Sequence, residues 1–389
     1  MNVRRARLCS FAVAALTALC LALVTSSSAS ARAEGPLVLG IYPGGGVGAV
    51  GPQPATKPED PVRRMAALEA LRGVPGRRFV VRVYASDDGT HRSLPRGLLE
   101  DISRYSSAGF DVELVIAYRR RGVRPLVGVR RYAGFVRRAV RAVRHHRHVV
   151  SLQITNEVNL RGAPNASDGA YPGARGALIR GVVAAKDELR RRRVTHIRVG
   201  FSWAYEQGRA SRRFWRSLGR VGGRPFVRAV DWVGVDIYPG TWGPELRGAR
   251  TAGVGVDIYR PTGLELRGGN TAAAVRARMI GALRTLRRSY LPRARLGRSV
   301  ALHVAEIGYP TGAGRSDAMQ AVVADAAVRA AHDVRAAYHV TDLRWFDLRD
   351  ADSANPSFES QYGLLRDDYT PKPAFGTFAA LVARYGAVR

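Results

Sequence analysis

The sequence predicts a single (β/α)8 barrel, and three observations lead to that fold class. Eight apolar runs of strand length recur along the chain, separated by helix-length segments rich in Ala, Leu, Val and Arg. The strand candidates are apolar at almost every position, as in parallel strands that helices cover on both faces. Eight such alternating units over about 250 residues or more are typical of a closed parallel barrel.

The strand candidates, in chain order, are LVLGIY (37–42), FVVRVY (79–84), VELVIAY (112–118), VVSLQIT (149–155), HIRVGFS (196–202), WVGVDIY (232–238), ALHVAEI (301–307) and DLRWFDL (342–348). Helix candidates between them include PVRRMAALEALRG, GALIRGVVAAKDELRRR and SDAMQAVVADAAVRAAHDVRAA. The alternative fold is an open doubly wound sheet. It lacks the expected nucleotide-binding turn, because GGGVG at 44–48 leads into a Pro-containing loop and not into a helix.

The first 33 residues have the features of a secretory signal peptide. An Arg-rich start precedes an apolar run from Leu8 to Val24, and small residues ending at Ala33 offer an A-x-A cleavage site. We therefore expect a secreted protein whose barrel domain occupies residues 34–389, with no further membrane span. The alternative is a retained membrane anchor, although the apolar run is near the short end for crossing a bilayer.

Both cysteines, Cys9 and Cys20, fall within this predicted signal segment. The mature chain would then have no thiol for a disulfide, a cysteine nucleophile or a cysteine metal site. We expect a monomeric domain that is held together by its core and works without metal or cofactor.

The chain is strongly basic, with a formal net charge of +31 that falls to +27 without the four arginines of the signal segment. The excess is nearly all arginine, in runs such as RRYAGFVRRAVRAVRHHRH on predicted outer helices. A solvated helix face explains these runs better than a dedicated polyanion site, but either way the positive field should favour anionic surfaces or acidic polymers. No zinc-finger, RNP-type or phosphate-loop motif accompanies the charge, so we expect no specific nucleic-acid partner.

Two glutamates lie where a barrel would place its chemistry, at the C-terminal ends of strands. SLQITNEVNL ends the fourth strand candidate on Asn156 and Glu157, and HVAEIGYPTG places Glu306 at the end of the seventh. Cleavage of a glycosidic bond needs two carboxyl groups, one to protonate the leaving oxygen and one to attack the anomeric carbon or activate water. The pair therefore predicts a glycoside hydrolase, whereas either glutamate alone would suit a surface or salt-bridged carboxylate.

These motifs resemble those of the clan A glycoside hydrolases, retaining enzymes on (β/α)8 barrels with Asn-Glu ending strand four and Glu ending strand seven. LQITNEVN and HVAEIGYPTG look like those two signatures, and YGLLRDDYTPKPAF (362–375) is similar to the segment after strand eight. The resemblance runs from the first strand to the last helix. It implies hydrolysis of β-glycosidic bonds in a polysaccharide or oligosaccharide, with retention of configuration.

The resemblance also implies roles for individual residues. Glu157 would be the acid/base and Glu306 the nucleophile, while Asn156 would donate to the sugar 2-hydroxyl. Arg82 in strand two matches the arginine that supports the nucleophile. Tyr238 at the end of strand six matches the tyrosine that hydrogen-bonds it.

Aromatic residues at strand ends are further candidates for carbohydrate binding. Trp345 in strand eight matches the platform beneath the sugar, with barrel packing as the alternative. The others could line a groove for successive sugars or pack at the rim: Tyr42, Tyr84, Tyr118, Trp203, Trp242 and Tyr309.

Asp236 and His303 are two further polar residues near these motifs. Many relatives carry a histidine two positions before the strand-six tyrosine, where this chain has Asp236. This departure leaves the subfamily and its substrate open. His303 lies three residues before Glu306 and by strand alternation should face away from it, so we expect a structural role for His303.

Strand six is also repeated, because VGVDIY occurs at 233–238 and again at 254–259. We favour the first copy as the strand, since Asp231 and Trp232 lead into it. The second copy would then lengthen a loop over the active site, where extra length is tolerated. If the second copy is the strand instead, Tyr259 takes the role of Tyr238.

Two other classes of function stay open. One is a non-catalytic barrel that holds cell-wall or acidic glycan in the same groove. The other is a basic surface protein that binds polyanions through its outer helices. The presence of both carboxylates favours the hydrolase over either alternative.

Overall fold

The computed structural model describes residues 35–46, 55–241, 271–312 and 314–389. Eight parallel strands close into a barrel in chain order, with the eighth hydrogen-bonded to the first. They are β1 (Val38–Ile41), β2 (Phe79–Asp87), β3 (Asp111–Tyr118), β4 (Val149–Ile154), β5 (Arg198–Ala204), β6 (Trp232–Asp236), β7 (Ala301–Ile307) and β8 (Val340–Trp345). The predicted (β/α)8 barrel is confirmed, and every strand candidate overlaps an observed strand.

Helices alternate with the strands and cover the outside of the barrel. The longer ones are α1 (Pro61–Arg72), α2 (Arg96–Ser107), α3 (Pro125–Val143), α4 (Ala174–Arg191), α5 (Arg209–Ala229), α6 (Thr271–Thr285), α7 (Asp317–Asp333) and α8 (Pro373–Tyr385). Shorter helical pieces cover Asp168–Ala170, Leu286–Tyr290, Leu291–Arg293, Arg335–Tyr338 and Phe358–Ser360. Local sequence fixes two of the helix starts: the side chains of Asp60 and Ser316 accept hydrogen bonds from the first free backbone N–H groups of α1 and α7.

Several predictions concern parts of the chain outside these ranges. The signal segment 1–33, Trp242 and the second VGVDIY copy all lie outside the described residues. The first copy forms β6, as favoured from the sequence. Across the ranges that are described, no helix is both long and apolar enough to cross a membrane.

The main hydrophobic core lies between the barrel and its helices, where the outward-facing strand side chains are removed from water. The inside of the barrel is charged instead. Arg82 donates to Glu113 Oε1 at 2.7 Å, and Arg344 Nη2 lies 3.6 Å from the other Glu113 oxygen. Arg344 also donates to Asp342 at 2.6 Å. Gly40 leaves room for this network, because a Cβ there would lie 2.9 Å from Cδ of Arg344.

His303 faces the same interior. Its ring stacks on Trp232 with centroids 4.1 Å apart, and its Nε2 lies 3.2 Å from Asp342. Burial lowers the pKa of His303 to about 4, so the ring is neutral at pH 7. The expectation that His303 faces away from Glu306 is wrong. The register of β7 shifts between Val304 and Ile307, and this irregularity brings Glu306 to the interior side as well.

We expect Glu113→Gln to destabilise the protein strongly. Glu113 is fully buried and is the common partner of Arg82 and Arg344, so the substitution leaves two buried guanidinium groups short of a counter-charge. Loss of one member of a buried ion pair costs about 3–5 kcal/mol. Urea denaturation should show a fall of that size in the free energy of unfolding.

The control is Glu100→Gln, which removes an exposed carboxylate that pairs with Arg96. Exposed pairs of this kind contribute less than about 1 kcal/mol. If the two variants unfolded at the same urea concentration, the interior network would not have the stabilising role assigned to it.

Candidate active site

The chain after β4 forms a strained turn that carries Asn156 and Glu157. Thr155 and Glu157 have positive φ angles of 64° and 44°, a left-handed conformation that is uncommon outside glycine. Such a conformation persists only where surrounding contacts hold it. Asp168 supplies two of these contacts, because its Oδ2 accepts hydrogen bonds from the backbone N–H groups of Asn156 at 2.9 Å and Tyr118 at 2.6 Å.

Glu306 reaches the mouth of the barrel from β7, where three donors hold it. Its Oε1 accepts from Nη2 of Arg82 at 3.1 Å and from the hydroxyl of Tyr84. Its Oε2 accepts from the hydroxyl of Tyr238 at 2.9 Å. The Nε of Arg82 also donates to the hydroxyl of Tyr84 at 2.9 Å, so these donors support one another. The arrangement stabilises negative charge on Glu306.

Glu157 lies close to Glu306 in a setting poorer in cations. The residue is 5% exposed, and its backbone N–H donates to Oγ of Ser202 at 3.3 Å. Burial raises the pKa of Glu157 well above its usual range, and the negative charges of Asp236 and Glu306 raise it further, against the opposing charge of Arg82. Two carboxyl groups with such different surroundings are suited to the separate roles of acid and nucleophile.

Asp236 at the end of β6 adds a third carboxylate. One oxygen from each of Glu157, Asp236 and Glu306 lies within 4.8 Å of the others. Burial raises the pKa of Asp236 well above its usual range and Glu306 adds to the effect, while Arg82 and the hydroxyl of Ser202 oppose it. The spacing would admit a cation, but both oxygens of Glu306 already accept hydrogen bonds. A cation there would have to share the Glu306 oxygens with these donors.

The side-chain amide of Asn156 is engaged within the protein. Its Oδ1 accepts from Nε2 of Gln153 at 2.9 Å, and Nη2 of Arg82 donates to it at 3.4 Å. Its Nδ2 donates to the backbone carbonyl of Ala166 at 3.0 Å. An amide nitrogen carries two hydrogens, so the predicted contact with a sugar 2-hydroxyl stays compatible with this bond.

Four partly exposed rings, Tyr42, Tyr84, Tyr238 and Phe346, surround Glu306. Tyr42 stacks on Phe346 with ring centroids 5.5 Å apart and meets Tyr84 edge-on at 5.6 Å. Phe346 also meets Tyr238 edge-on at 6.4 Å. The mouth therefore combines carboxylates with apolar ring faces, which suits a ligand such as a sugar with both hydroxyl groups and C–H surfaces.

Trp345 and Trp203 are not part of this mouth, contrary to their predicted place in substrate binding. Trp345 is fully buried and packs against Phe378 of α8, with centroids 6.0 Å apart. Trp203 is fully buried as well and packs against Trp215 of α5 and Tyr290. Both indole rings therefore belong to the core between the barrel and its helices.

Side-chain alternation explains the correction for Trp345. Arg344 points into the barrel, where it contacts Glu113. The next residue must then point outward and the one after it inward. Phe346, the next residue, is accordingly the aromatic side chain that faces the mouth.

Sequence reasoning missed three residues of the site. Phe346 directly follows Trp345, the residue predicted as the platform beneath the sugar. Tyr84 was named only as a rim aromatic, although it follows Arg82 by two positions and alternation places both on one face. Asp168 lies in a loop and gives no periodic signal, so only its contacts reveal its part in holding the turn after β4.

Comparison with known proteins gives structural matches only. No protein-family model and no curated protein sequence matches the chain. A family 39 glycoside hydrolase from Bacteroides cellulosilyticus WH2 is 16% identical with a TM-score of 0.52, over 90% of this chain and 64% of that protein. A GH5_18 structure from Streptomyces cattleya, in complex with GlcNAc, is 18% identical with a TM-score of 0.52, over 83% and 74%. A fungal β-1,4-galactanase structure is 11% identical with a TM-score of 0.57, over 88% and 99%.

Identities this low establish a likeness of fold and nothing finer. The chain also spans less than two thirds of the family 39 hydrolase. At the level of fold, the molecule is a barrel of the kind on which glycoside hydrolases are built. The three neighbours bear on the fold, while the resemblance to clan A rests on the Asn156-Glu157 and Glu306 motifs.

We expect Asp168→Asn to change how stability depends on pH. Burial raises the pKa of Asp168 to about 7, although the N–H groups of Tyr118 and Asn156 oppose this. A carboxyl group whose pKa is higher in the folded than in the unfolded protein contributes its full stability below the unfolded-state pKa. That contribution is lost as the pH rises through the folded-state pKa, here about 7. The Tm of the variant minus that of the parent should therefore increase by about 2–4 °C between pH 5 and pH 8.

The matched control is Asp187→Asn, at a half-exposed carboxylate on α4 that pairs with Arg190. It removes one carboxylate outside the turn after β4, and its Tm difference from the parent is the reference for that of Asp168→Asn. A profile for Asp168→Asn that follows this reference would show that Asp168 does not titrate in this way.

Proposed function

We propose that this protein is a retaining glycoside hydrolase that cleaves β-glycosidic bonds in a polysaccharide or oligosaccharide. The proposal rests on the meeting of Glu157, after β4, with Glu306 from β7, since one carboxylate oxygen of each lies within 4.8 Å of the other. Retaining enzymes hold their carboxyl groups about 5–5.5 Å apart, whereas inverting enzymes leave about 6.5–9.5 Å for a water molecule. The short separation supports direct attack by one carboxylate.

In the first step, Glu306 attacks the anomeric carbon and the bond to the leaving oxygen breaks. Glu157 gives its proton to that oxygen, so the leaving group departs as a neutral alcohol. The sugar is then joined to Glu306 by an ester bond. Burial of Glu157 supports this role, because the raised pKa keeps a proton available near neutral pH.

In the second step, the ionised Glu157 takes a proton from water as the water oxygen attacks the anomeric carbon. The ester bond breaks and the carboxylate of Glu306 is restored. Two inversions give net retention. Arg82, Tyr84 and Tyr238 orient Glu306 for the first step and support the second, because they donate to the Glu306 oxygens on which negative charge then returns.

We further propose that residues 1–33 direct secretion and that the mature domain acts as a monomer, without metal or cofactor, on carbohydrate outside the cell. Tyr42 and Phe346 would stack against the sugar. The net positive charge would favour acidic glycans or cell-wall polymers among the substrates.

Replacement of the two glutamates should give different kinetic results. Glu306→Gln should lose more than about a thousandfold in kcat on every substrate, because the amide cannot attack. Glu157→Gln should lose about 10²–10⁴-fold on polysaccharide, but much less on an aryl glycoside whose leaving group needs no proton. Released reducing ends and aryl alcohol would be scored on a panel of neutral and acidic β-linked substrates.

Glu69→Gln, at an exposed position on α1, is the matched control and should behave as the parent. NMR of the first-formed sugar should show the β anomer. Turnover that survives Glu306→Gln would refute the proposed nucleophile, and an α anomer would refute retention. Binding without release by the parent would favour the non-catalytic carbohydrate-binding barrel.

A further inference from the structure

We infer that Asp236 is a positioning residue that shares one proton with Glu157 and so sets the highest pH at which Glu157 remains an acid. The effect on turnover rests on the proposed function. The shared proton itself is a property of the protein without substrate, and it is testable without any activity.

The backbone of β6 brings Asp236 into the site. Trp232 and Asp236 lie on the same face of the strand, and Trp232 stacks inside the barrel on His303. The Cα of Asp236 is the register partner of Glu306 on β7. The side chain of Asp236 therefore enters the mouth beside Glu306 and is fully buried there.

Asp236 has little stabilisation of its own at this place. Both of its carboxylate oxygens are buried without a well-formed hydrogen bond from the described residues. The neighbouring hydroxyl of Ser202 also accepts from Gln153 at 3.0 Å and lies 3.4 Å from Oδ1 of Asn156, so it offsets the cost of ionising Asp236 only in part. A fully ionised carboxylate is costly in such surroundings.

The charges around Asp236 come from five elements of the site. The titratable groups that face it are Glu157 after β4, Arg82 on β2, Glu113 on β3, Glu306 on β7 and Tyr238 after β6. Arg82 is the cation of this set, and it is already in contact with Glu113 and Glu306. Glu157 and Asp236 are therefore left as two close carboxyl groups without a counter-charge of their own.

Two such groups cannot both ionise readily, and they titrate as a pair. As the pH rises, one proton leaves first and the other is held by repulsion from the new charge. The remaining proton is divided between the two carboxyl groups, and on Glu157 it is the proton needed for protonation of the leaving oxygen. An ionised Asp236 therefore extends the acid form of Glu157 to higher pH.

The first test is the pH profile of kcat/KM for the parent and for Asp236→Asn, which removes the charge and keeps the shape. The alkaline limb of the variant should move down by about one pH unit or more, because Glu157 loses the repulsion that held its proton. The matched control is Tyr238→Phe, two residues along the chain. It should lower kcat/KM through the lost bond to Glu306 and leave the alkaline limb in place.

If Asp236→Asn unfolds at the same temperature as the parent and its alkaline limb overlays that of the parent, the inference is overturned. A second measurement covers the case in which that variant does not fold. Coupling between two sites is reciprocal, so Glu157→Gln must lower the pH at which Asp236 loses its proton. Infrared spectra of protein carrying ¹³C-labelled aspartate would follow the carbonyl band of the protonated acid.

Asp168 also acts on Glu157, so Asp168→Asn is introduced into both the parent and the Glu157→Gln variant. The difference between their spectra should show one aspartic acid that ionises at lower pH when Glu157 is replaced. The bands of buried aspartates elsewhere, such as Asp347, should be the same in both proteins and cancel in the difference spectrum. No difference would overturn the inference. If the infrared difference is clear but the parent acts on no substrate, the inference of a shared proton stands and the proposed hydrolase function is rejected.

Discussion

The burial of Arg82 is the constraint on which the inside of this barrel depends. The guanidinium group is 1% exposed and donates to Glu113, Glu306 and the hydroxyl of Tyr84. Removal of such a cation from water costs several kcal/mol and is offset only when its hydrogen bonds are well formed. The fold must therefore supply carboxylates around Arg82. One of them is Glu306, so the contact that stabilises the interior also fixes the candidate nucleophile.

The turn after β4 shows a second link between stability and the site. Left-handed conformations at Thr155 and Glu157 cost of order 1–3 kcal/mol each and must be held by their surroundings. Asp168 ties the turn to β3, because it accepts from the N–H groups of Asn156 and Tyr118, although it is itself buried with a raised pKa. The direction of the Glu157 side chain thus depends on a carboxylate that would take no part in the chemistry.

The barrel could be predicted from sequence because each strand is buried on both faces, which leaves a clear apolar run whatever the loops do. Arg82 and Tyr238, which were named from the motif resemblance, both donate to Glu306 in the structure. The wrong predictions concerned which way single side chains point, and they came from the local register of two strands. The shift in β7 turned His303 and Glu306 to the same side, and alternation in β8 exchanged Trp345 for Phe346. Contacts across loops, such as those of Asp168, leave no trace in a linear pattern.

The acidic mouth and the basic exterior act over different distances. The arginine charge on the outer helices is screened by salt within about 8–10 Å, so it bears on the approach of a polymer from solution. One oxygen from each of Glu157, Asp236 and Glu306 lies within 4.8 Å of the others, and the three residues are buried, so salt screens them little. A histidine in place of Asp236 would carry no negative charge and would not help Glu157 to keep its proton. Protonation at the mouth is therefore decided by the few residues that face it, while the outer arginines would decide which carbohydrates reach it.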